Sequence, residues 1–200
     1  MSNQQHPLQN TWILWMQDFT NNPNSWSLQE ICEFSSVEEF WRMYSVFPKP
    51  SNLFYDGHTR KSLAGKEIES LAVFKKNIYP GWEDEINAQG SELVYRKVNL
   101  SIDTLDVYWE CIILALIGEA IDLGDDIICG CRVVDKSKLK SGTRIYKIEV
   151  WLSTANQEIG EDYSKRLIDI INHEGLGDNN IGKRRSSLPS IDFEWKRHNL

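Results

Sequence analysis

Trp82-Glu83-Asp84-Glu85 places an indole ring directly before three carboxylates. Charged side chains resist burial, so a protein core has little use for such a run. An indole face attracts a cation by roughly 0.5–2 kcal/mol, and stacking a base on an aromatic ring contributes about 1–3 kcal/mol. Glu83 could accept two parallel hydrogen bonds from the N1–H and exocyclic amine of guanine. The motif therefore predicts either a site for a positively charged purine or a surface tryptophan beside solvated acids.

The same acids could also serve catalysis, with Glu83 and Glu85 as the carboxylate pair of a carbohydrate-active enzyme. Such pairs usually come from separate elements, however, and the sequence lacks the common nucleophile, phosphate-loop, zinc-protease and dinucleotide motifs. Its four cysteines match no zinc spacing, and we expect them to be reduced. The histidines are scattered, at positions 6, 58, 173 and 198, and are expected at the surface. A binding protein without metal or cofactor is favoured over an enzyme.

The composition bounds the class of protein. The chain has 200 residues, 41% of them hydrophobic, which suits one domain with a sizeable core. No apolar run approaches the length of a membrane span, and the first residues lack the features of a secretion signal. We therefore expect no membrane partner. The expected location is the cytosol, and the protein could also occur in the nucleus. The net charge of −7 argues against broad binding to long nucleic acids.

Basic residues nevertheless cluster in two stretches. One stretch runs from Lys136 to Lys147 and the other from Lys183 to Arg185. A small anionic ligand could bind either of them in a local basic pocket. Each stretch could equally be a solvated loop, because charge runs usually lie on exposed faces.

Hydrophobic periodicity predicts the elements that must position these residues. Strands are expected at 11–16, about 26–34, 92–99, 127–135 and 143–153, with a short one near 191–195. Three helices are expected: one from the capping box Ser36–Glu39 to the prolines at 48 and 50, one over about 103–122 ended by Gly124, and one from the capping box Thr154–Gln157 to about Gly175. Residues 48–73 are expected to form a long surface loop.

Strands joined in hairpins form a mostly antiparallel sheet, and helices with a wide apolar face pack on one side of it. The chain is therefore expected to be a single α+β domain over 1–200, with the concave face of the sheet free for a ligand. Cys129 and Cys131, two residues apart on a predicted strand, should point to the same face.

Several separate motifs fall in the order and spacing of one known family, over about residues 6–174. They are His6-Pro7-Leu8-Gln9-Asn10-Thr11-Trp12, Val37-Glu38-Glu39-Phe40-Trp41, Trp82-Glu83-Asp84-Glu85, Trp109, Leu116-Ile117-Gly118-Glu119 and Trp151. The chain thereby resembles the eukaryotic translation initiation factor 4E family. The resemblance implies a curved antiparallel sheet backed by three helices, and binding of the 7-methylguanosine cap of mRNA.

The resemblance also implies roles for individual residues. Trp26 and Trp82 would sandwich the methylated base, and Glu83 would bind the guanine edge. Trp151 would contact the N7-methyl group, and Lys147 would bind phosphate. The family's phosphate-gripping arginine corresponds to Lys136, although Arg144 or Lys138 could serve. A second phosphate-side loop corresponds roughly to Lys183, Arg184 and Arg185.

On the convex face, the resemblance implies a docking surface for a partner helix with the pattern Tyr-x-x-x-x-Leu-hydrophobic, from a 4G-like scaffold or a 4E-binding repressor. The matching residues are His6, Pro7, Leu8, Val37, Trp41 and Leu114. The family has Leu-Glu after the tryptophan at 109, whereas this chain has Glu110-Cys111, and Glu110 could substitute for the displaced acid. This departure motivates an alternative function, a cap-binding repressor or specialised paralogue that recruits no scaffold.

Three segments depart from the family pattern. Residues 1–5 are expected to be flexible, 57–73 to be an inserted loop, and 176–200 to be a divergent C-terminal segment. The sequence does not decide whether trimethylated caps are bound.

Overall fold

The computed structural model describes residues 5–19, 28–122, 124–173 and 188–198. Its strands are β1 (Pro7–Asp18), β2 (Leu28–Ser36), β3 (Ser62–Leu63), β4 (Lys66–Lys75), β5 (Ser91–Val98), β6 (Ile128–Asp135), β7 (Ile145–Leu152) and β8 (Glu194–Arg197). They form one antiparallel sheet in the order β2-β1-β4-β6-β7-β5-β8, and β3 pairs with β4. The predicted α+β fold with a curved antiparallel sheet is confirmed.

In the described part of the chain, three long α-helices and one short one accompany the sheet. They are α1 (Val37–Val46), α2 (Glu85–Ala88), α3 (Ile102–Ile117) and α4 (Gln157–His173). Apolar residues of the three long helices join one core with the convex face of the sheet. The short α2 lies instead beside the candidate site. Within the described ranges, no helix is long and apolar enough to cross a membrane.

The sequence predicted the start of α1 correctly but not the end of α3. The hydroxyl of Ser36 accepts from Glu39 N at 3.2 Å, so α1 begins where the capping box predicted. The predicted end of α3 near 122 is wrong, because Glu119 adopts a left-handed φ of 53°. Its N–H and that of Ala120 then bond to Leu116 O and Ala115 O, a Schellman motif that ends the helix at Ile117.

The predicted start of α4 at Thr154 is also displaced. The side chain of Asn156 accepts from Glu158 N at 3.0 Å and from Ile159 N at 3.4 Å, so Asn156 caps the helix. Thr154 instead accepts from Asn156 N at 3.2 Å and fixes the approach to the cap. Asparagine competes well with threonine as a helix cap, because its amide oxygen reaches the same backbone donors.

The prediction of a surface loop over 48–73 is wrong in its second half. Residues 66–75 form β4, a central strand between β1 and β6. A two-residue turn at Ala64 and Gly65, both with positive φ, joins β3 to β4 as a tight hairpin. Leu53 and Phe54 are also buried in the core rather than exposed. Whether residues 57–73 are inserted relative to the family stays a prediction.

The two faces of the sheet carry different clusters. Trp12, Leu14 and Met16 of β1 join the helix-covered core. The concave face holds a small second cluster of Ala72, Phe74, Cys129 and Trp151, with Trp15 and Ile78 packed against it. None of the four cysteines, all of which lie in the described ranges, forms a disulfide, and Cys129 and Cys131 belong to opposite clusters. The expectation of one shared face is wrong, because a register shift between Ile128 and Gly130 breaks the alternation.

Candidate ligand cleft and partner face

Two side chains hold the loop that carries Trp82. Asp84 accepts from Ile86 N at 3.0 Å, which caps α2, and from Tyr79 N at 2.9 Å. Asn87 donates to Tyr79 O at 2.7 Å and to Gly81 O at 3.0 Å. Trp82 therefore sits on a braced turn with 49% of its surface exposed. Its ring is available to a ligand although its backbone is fixed.

The acids that follow Trp82 have separate tasks. Asp84 is committed to the loop, whereas Glu83 and Glu85 are exposed. The Glu83 carboxylate folds back over Gly81, where an added Cβ would lie 2.5 Å from Glu83 Oε2. A side chain at position 81 would displace the Glu83 carboxylate from this place. Burial, and then the charge of Glu83, raise the pKa of the neighbouring Tyr79.

A cleft of about 190 Å³ opens beside this loop on the concave face. It is lined by Leu28, Tyr79, Pro80, Gly81, Trp82, Glu83, Arg132, Glu149 and Trp151. The structure thus brings Trp151 to the same cleft as Trp82 and Glu83, as the sequence predicted, although Trp151 is distant from them in the chain. Trp26 lies outside the described residues, and Leu28, two positions later, lines the cleft.

Alternate residues of β7 lie on the concave face, and Glu149 and Trp151 among them form the floor of the cleft. Lys147, Glu149 and Trp151 share the concave face, as the strand period requires. Lys147 Nζ lies 2.5 Å from Glu149 Oε1 and 3.6 Å from Glu92 Oε1. Trp151 Nε1 donates to Glu149 Oε2 at 3.2 Å. Burial, together with the charge of Glu149, raises the pKa of Glu92. The predicted phosphate ligand Lys147 therefore already shares its charge with two carboxylates.

Sequence reasoning missed Arg132, the cross-strand partner of Glu149. It is only 8% exposed, and its guanidinium donates from Nε to Ser70 Oγ at 3.2 Å and from Nη2 to Gln17 Oε1 at 2.5 Å. These bonds tie the cleft floor on β6 to the end of β1. A basic residue within the otherwise apolar run Cys129–Val134 was the only available signal.

Sequence reasoning also misplaced His198, which is buried rather than at the surface. Its Nδ1 lies 2.6 Å from Asn87 O, and its backbone N–H donates to Gly90 O at 3.1 Å. The ring lies 4.7 Å from that of Trp151 and 6.1 Å from that of Trp82. Burial lowers the pKa of His198. The tail after 188 is thus part of the support of the cleft.

A basic concavity adjoins the cleft along β5 and β8. Its lining includes Arg96, Lys136, Lys147 and Lys196, together with Asp192 and Glu194. Lys136 Nζ pairs with Glu69 at 2.6 Å. Arg144 lies elsewhere, packed beside Gly57 and donating to Asp56 O at 3.4 Å. Lys183 and Arg184 lie outside the described residues. Among the candidate phosphate ligands described, Lys136 and Lys147 share one concavity.

Residues predicted for the partner face meet where β1 approaches α1. Val37 N donates to His6 O at 2.9 Å, and Pro7 pairs with Ser36 across β1 and β2. Val37 and Trp41 are exposed on α1, while Leu8 on β1 and Leu114 on α3 are half-buried.

The acid at 110 is already engaged within the protein. Glu110 accepts from Tyr44 Oη at 2.9 Å and from Lys49 Nζ at 3.1 Å. Cys111, which follows it, is buried in the core. Glu110 could therefore pair with a partner's basic group only by sharing its carboxylate with Lys49.

Comparisons with known proteins identify the family that the chain matches. The profile of the family described as Eukaryotic initiation factor 4E matches residues 7–179. Eukaryotic translation initiation factor 4E1 of Drosophila melanogaster is 35% identical over 155 residues, which cover 76% of this chain and 52% of that protein. The chain thus spans about half the length of this relative.

Two solved structures of C. elegans eIF4E-3 share the fold. Both are complexes with the 4E-binding protein Mextli, and the second also contains a cap analog. They superpose with TM-scores of 0.70 and 0.69 at 25% and 26% identity. Each match covers 98% of this chain and 94% of the other.

Proposed function

Because the chain belongs to the eukaryotic initiation factor 4E family, we propose that it binds the 7-methylguanosine cap of mRNA and catalyses no reaction. The observation that carries this proposal is the single cleft lined by Trp82, Glu83 and Trp151. An aromatic face, an edge-binding carboxylate and a second indole meet there. Those are the groups that a flat, cationic base with adjacent donors requires.

The base stacks on Trp82, with Trp26 as the second wall of the sandwich. Methylation at N7 makes guanine cationic, which strengthens its attraction to the negative face of each indole. Glu83 accepts from N1–H and the exocyclic amine, and Trp82 N–H donates to O6. Adenine and pyrimidines offer no such adjacent donor pair, so Glu83 selects guanine.

The remaining groups bind the methyl group and the phosphates. Trp151 lines the cleft from the floor and contacts the methyl group. The phosphates extend into the basic concavity, where Lys136 and Lys147 lie. Arg144, Lys183 and Arg184 are the other candidates for phosphate binding. Contacts with phosphate weaken as salt is added, whereas stacking on indole does not depend on salt in this way.

A fluorescence titration of the protein with 7-methyl-GTP and with GTP tests this proposal. Eight tryptophans make quenching easy to measure. We expect clear preference for 7-methyl-GTP, and a loss of roughly 5- to 150-fold in its affinity on Trp26→Ala, since one stacked base contributes about 1–3 kcal/mol. Equal affinity for the two nucleotides would contradict cap binding. Unchanged affinity on Trp26→Ala would contradict the sandwich alone.

The second part of the proposal concerns the convex patch, defined as His6, Pro7, Leu8, Val37, Trp41 and Leu114. The exposure of Val37 and Trp41 supports docking of an amphipathic helix here. We propose that this helix belongs to a 4G-like scaffold, so that the protein starts translation on the capped mRNA. The alternative is a repressor or specialised paralogue, favoured by the engagement of Glu110 with Lys49.

Peptide binding and translation assays separate these alternatives. A Tyr-x-x-x-x-Leu-hydrophobic peptide should bind the wild-type protein but not Trp41→Ala. Added to a cap-dependent translation extract depleted of its own cap-binding factor, the protein should restore synthesis. Peptide binding without restored synthesis would favour the repressor, and loss of both would favour the paralogue without a scaffold.

A further inference from the structure

Glu149 is a carboxylate buried at the floor of the cleft. It is 5% exposed, yet it lines the cavity together with Trp82 and Trp151. Its Oε2 accepts from Trp151 Nε1 at 3.2 Å. Glu149 therefore lies directly beside the indole that is proposed to face the methyl group. Glu83 differs, because it lies exposed at the rim.

Glu149 has one close ion-pair partner, and it shares that partner with a second acid. One ammonium, Lys147 Nζ, lies 2.5 Å from Glu149 and 3.6 Å from Glu92, so two acids share one base. Arg132, on the adjacent strand, keeps its positive charge but directs its guanidinium to the neutral groups of Gln17 and Ser70, and it forms no ion pair with Glu149. At close range the Glu149 carboxylate beside Trp151 is thus paired with one lysine, which it shares with Glu92.

His198 packs beside the same indole. Its ring lies 4.7 Å from that of Trp151. Burial lowers the pKa of His198, whereas the charge of Glu149 raises it and outweighs the opposing charge of Lys147. The Glu149 carboxylate therefore acts on a ring that packs against Trp151.

We infer that Glu149 is a specificity-determining residue of the cleft, which supplies a negative counter-charge to the cationic, N7-methylated ring on Trp82. This inference rests on the proposed cap binding. Stacking and the Glu83 edge contacts select the shape and donors of guanine, whereas Glu149 selects the positive charge that methylation creates. An attraction of this kind across several ångströms of partly buried protein changes an equilibrium constant by about tenfold.

The competing role for Glu149 is to anchor Lys147 for phosphate binding. Glu92→Gln is the matched control, because it makes the same charge change and removes a partner of the same lysine. Glu92 is also buried, but its side chain does not line the cleft. If Glu149 acts by anchoring Lys147, both variants should change ligand affinity. If Glu149 acts on the charge of the ring, only Glu149→Gln should change the preference for a charged ring.

The ligand pair that isolates ring charge is 7-methyl-GTP and its 7-deaza counterpart, in which the methyl group sits on a neutral ring carbon. Both have the same shape, edge donors and phosphates. Titrations of the wild type, Glu149→Gln and Glu92→Gln with both ligands give an affinity ratio for each protein. We expect Glu149→Gln to lower the ratio about tenfold, and Glu92→Gln to leave it unchanged. Any effect of a freed Lys147 on phosphate affinity cancels in the ratio.

An unchanged ratio in Glu149→Gln would overturn the inference. Wild-type preference for 7-methyl-GTP over GTP is measured in parallel, so that a failure of cap binding itself is recognised separately. Circular dichroism and the affinity for the neutral ligand report whether each variant is folded. Glu149→Asp, which keeps the charge but withdraws it by one methylene, serves as the second variant and should give an intermediate ratio.

Discussion

Trp82 and Trp41 are exposed to nearly the same extent, 49% and 45%, but their surroundings differ. Trp82 stands over charged side chains, Glu83, Arg132 and Glu149, in a concave cleft. Trp41 lies on a helix among aromatic rings, and its ring centroid is 5.0 Å from that of Phe40 and 5.9 Å from that of Tyr44. The same residue type thus stands in two settings that suit different ligands. A charged hollow suits a small cationic ring, and an apolar convex surface suits a helix.

The largest expected effect comes from removing each of these two indoles in turn. Trp82→Ala should lower the affinity for 7-methyl-GTP roughly 5- to 150-fold and leave binding of the Tyr-x-x-x-x-Leu peptide unchanged. Trp41→Ala should do the reverse. Fluorescence titration of each ligand measures both. If either variant weakened both ligands equally, the two faces would be coupled rather than independent.

The charged network under the cleft is buried, whereas the charged contact of the convex patch, between His6 and Glu38, is exposed. Gln17 accepts from the buried Arg132 guanidinium, so Gln17→Leu leaves a buried cation without this acceptor. We expect a loss of about 1–3 kcal/mol in the free energy of unfolding, measured by urea denaturation. Gln29→Leu, at an exposed position of β2, is the control and should change stability little. Equal losses in the two variants would indicate that the network contributes nothing.

The sequence predicted the parts of both faces whose signals are local. Ser36 and the alternation in 92–99 specify α1 and β5 directly. The Trp82-Glu83 motif indicated its chemistry because the indole and the carboxylate are adjacent in the chain. The sequence did not predict β4, because residues 71–75 are buried on both faces and the strand therefore has no alternating pattern.

The remaining site residues depend on contacts that no local pattern encodes. His198 reaches the cleft only because β8 pairs with β5, about 100 positions earlier in the chain. Arg132 and Glu149 become neighbours through the register of β6 and β7. The shift at Ile128–Gly130 decides that Cys129 packs beside Trp151. Long-range register therefore placed Arg132, Glu149 and His198, which the sequence did not predict, around the predicted residues Trp82, Glu83 and Trp151.

A smaller effect tests how the loop is braced. Asp84→Ala removes the acceptor for Ile86 N and Tyr79 N, which should cost about 1 kcal/mol, as the loss of a helix cap does. Affinity for 7-methyl-GTP should fall a few-fold because Trp82 is less well positioned, while peptide affinity at the convex patch is retained. Asp84→Asn keeps an acceptor oxygen and should recover most of the loss. Equal titration curves for wild type and Asp84→Ala would show that the brace is dispensable.

The smallest expected effect is a pH dependence confined to the concave side. Burial lowers the pKa of His198 below its ordinary value of 6.5. The unfolded chain therefore binds this proton more readily than the folded protein does. The contribution of neutral His198 to stability is complete above about pH 6.5, and it is lost as pH falls through the lower folded pKa.

Thermal unfolding of the wild type and His198→Gln at pH 7 and pH 5 measures this contribution. The wild type should lose more stability on acidification than His198→Gln, since only the wild type must protonate a buried imidazole whose Nδ1 faces Asn87 O. His58→Gln, at an exposed histidine, should behave as the wild type does. If His198→Gln lost as much stability as the wild type, the burial of His198 against Trp151 would not be what makes the concave side acid-sensitive.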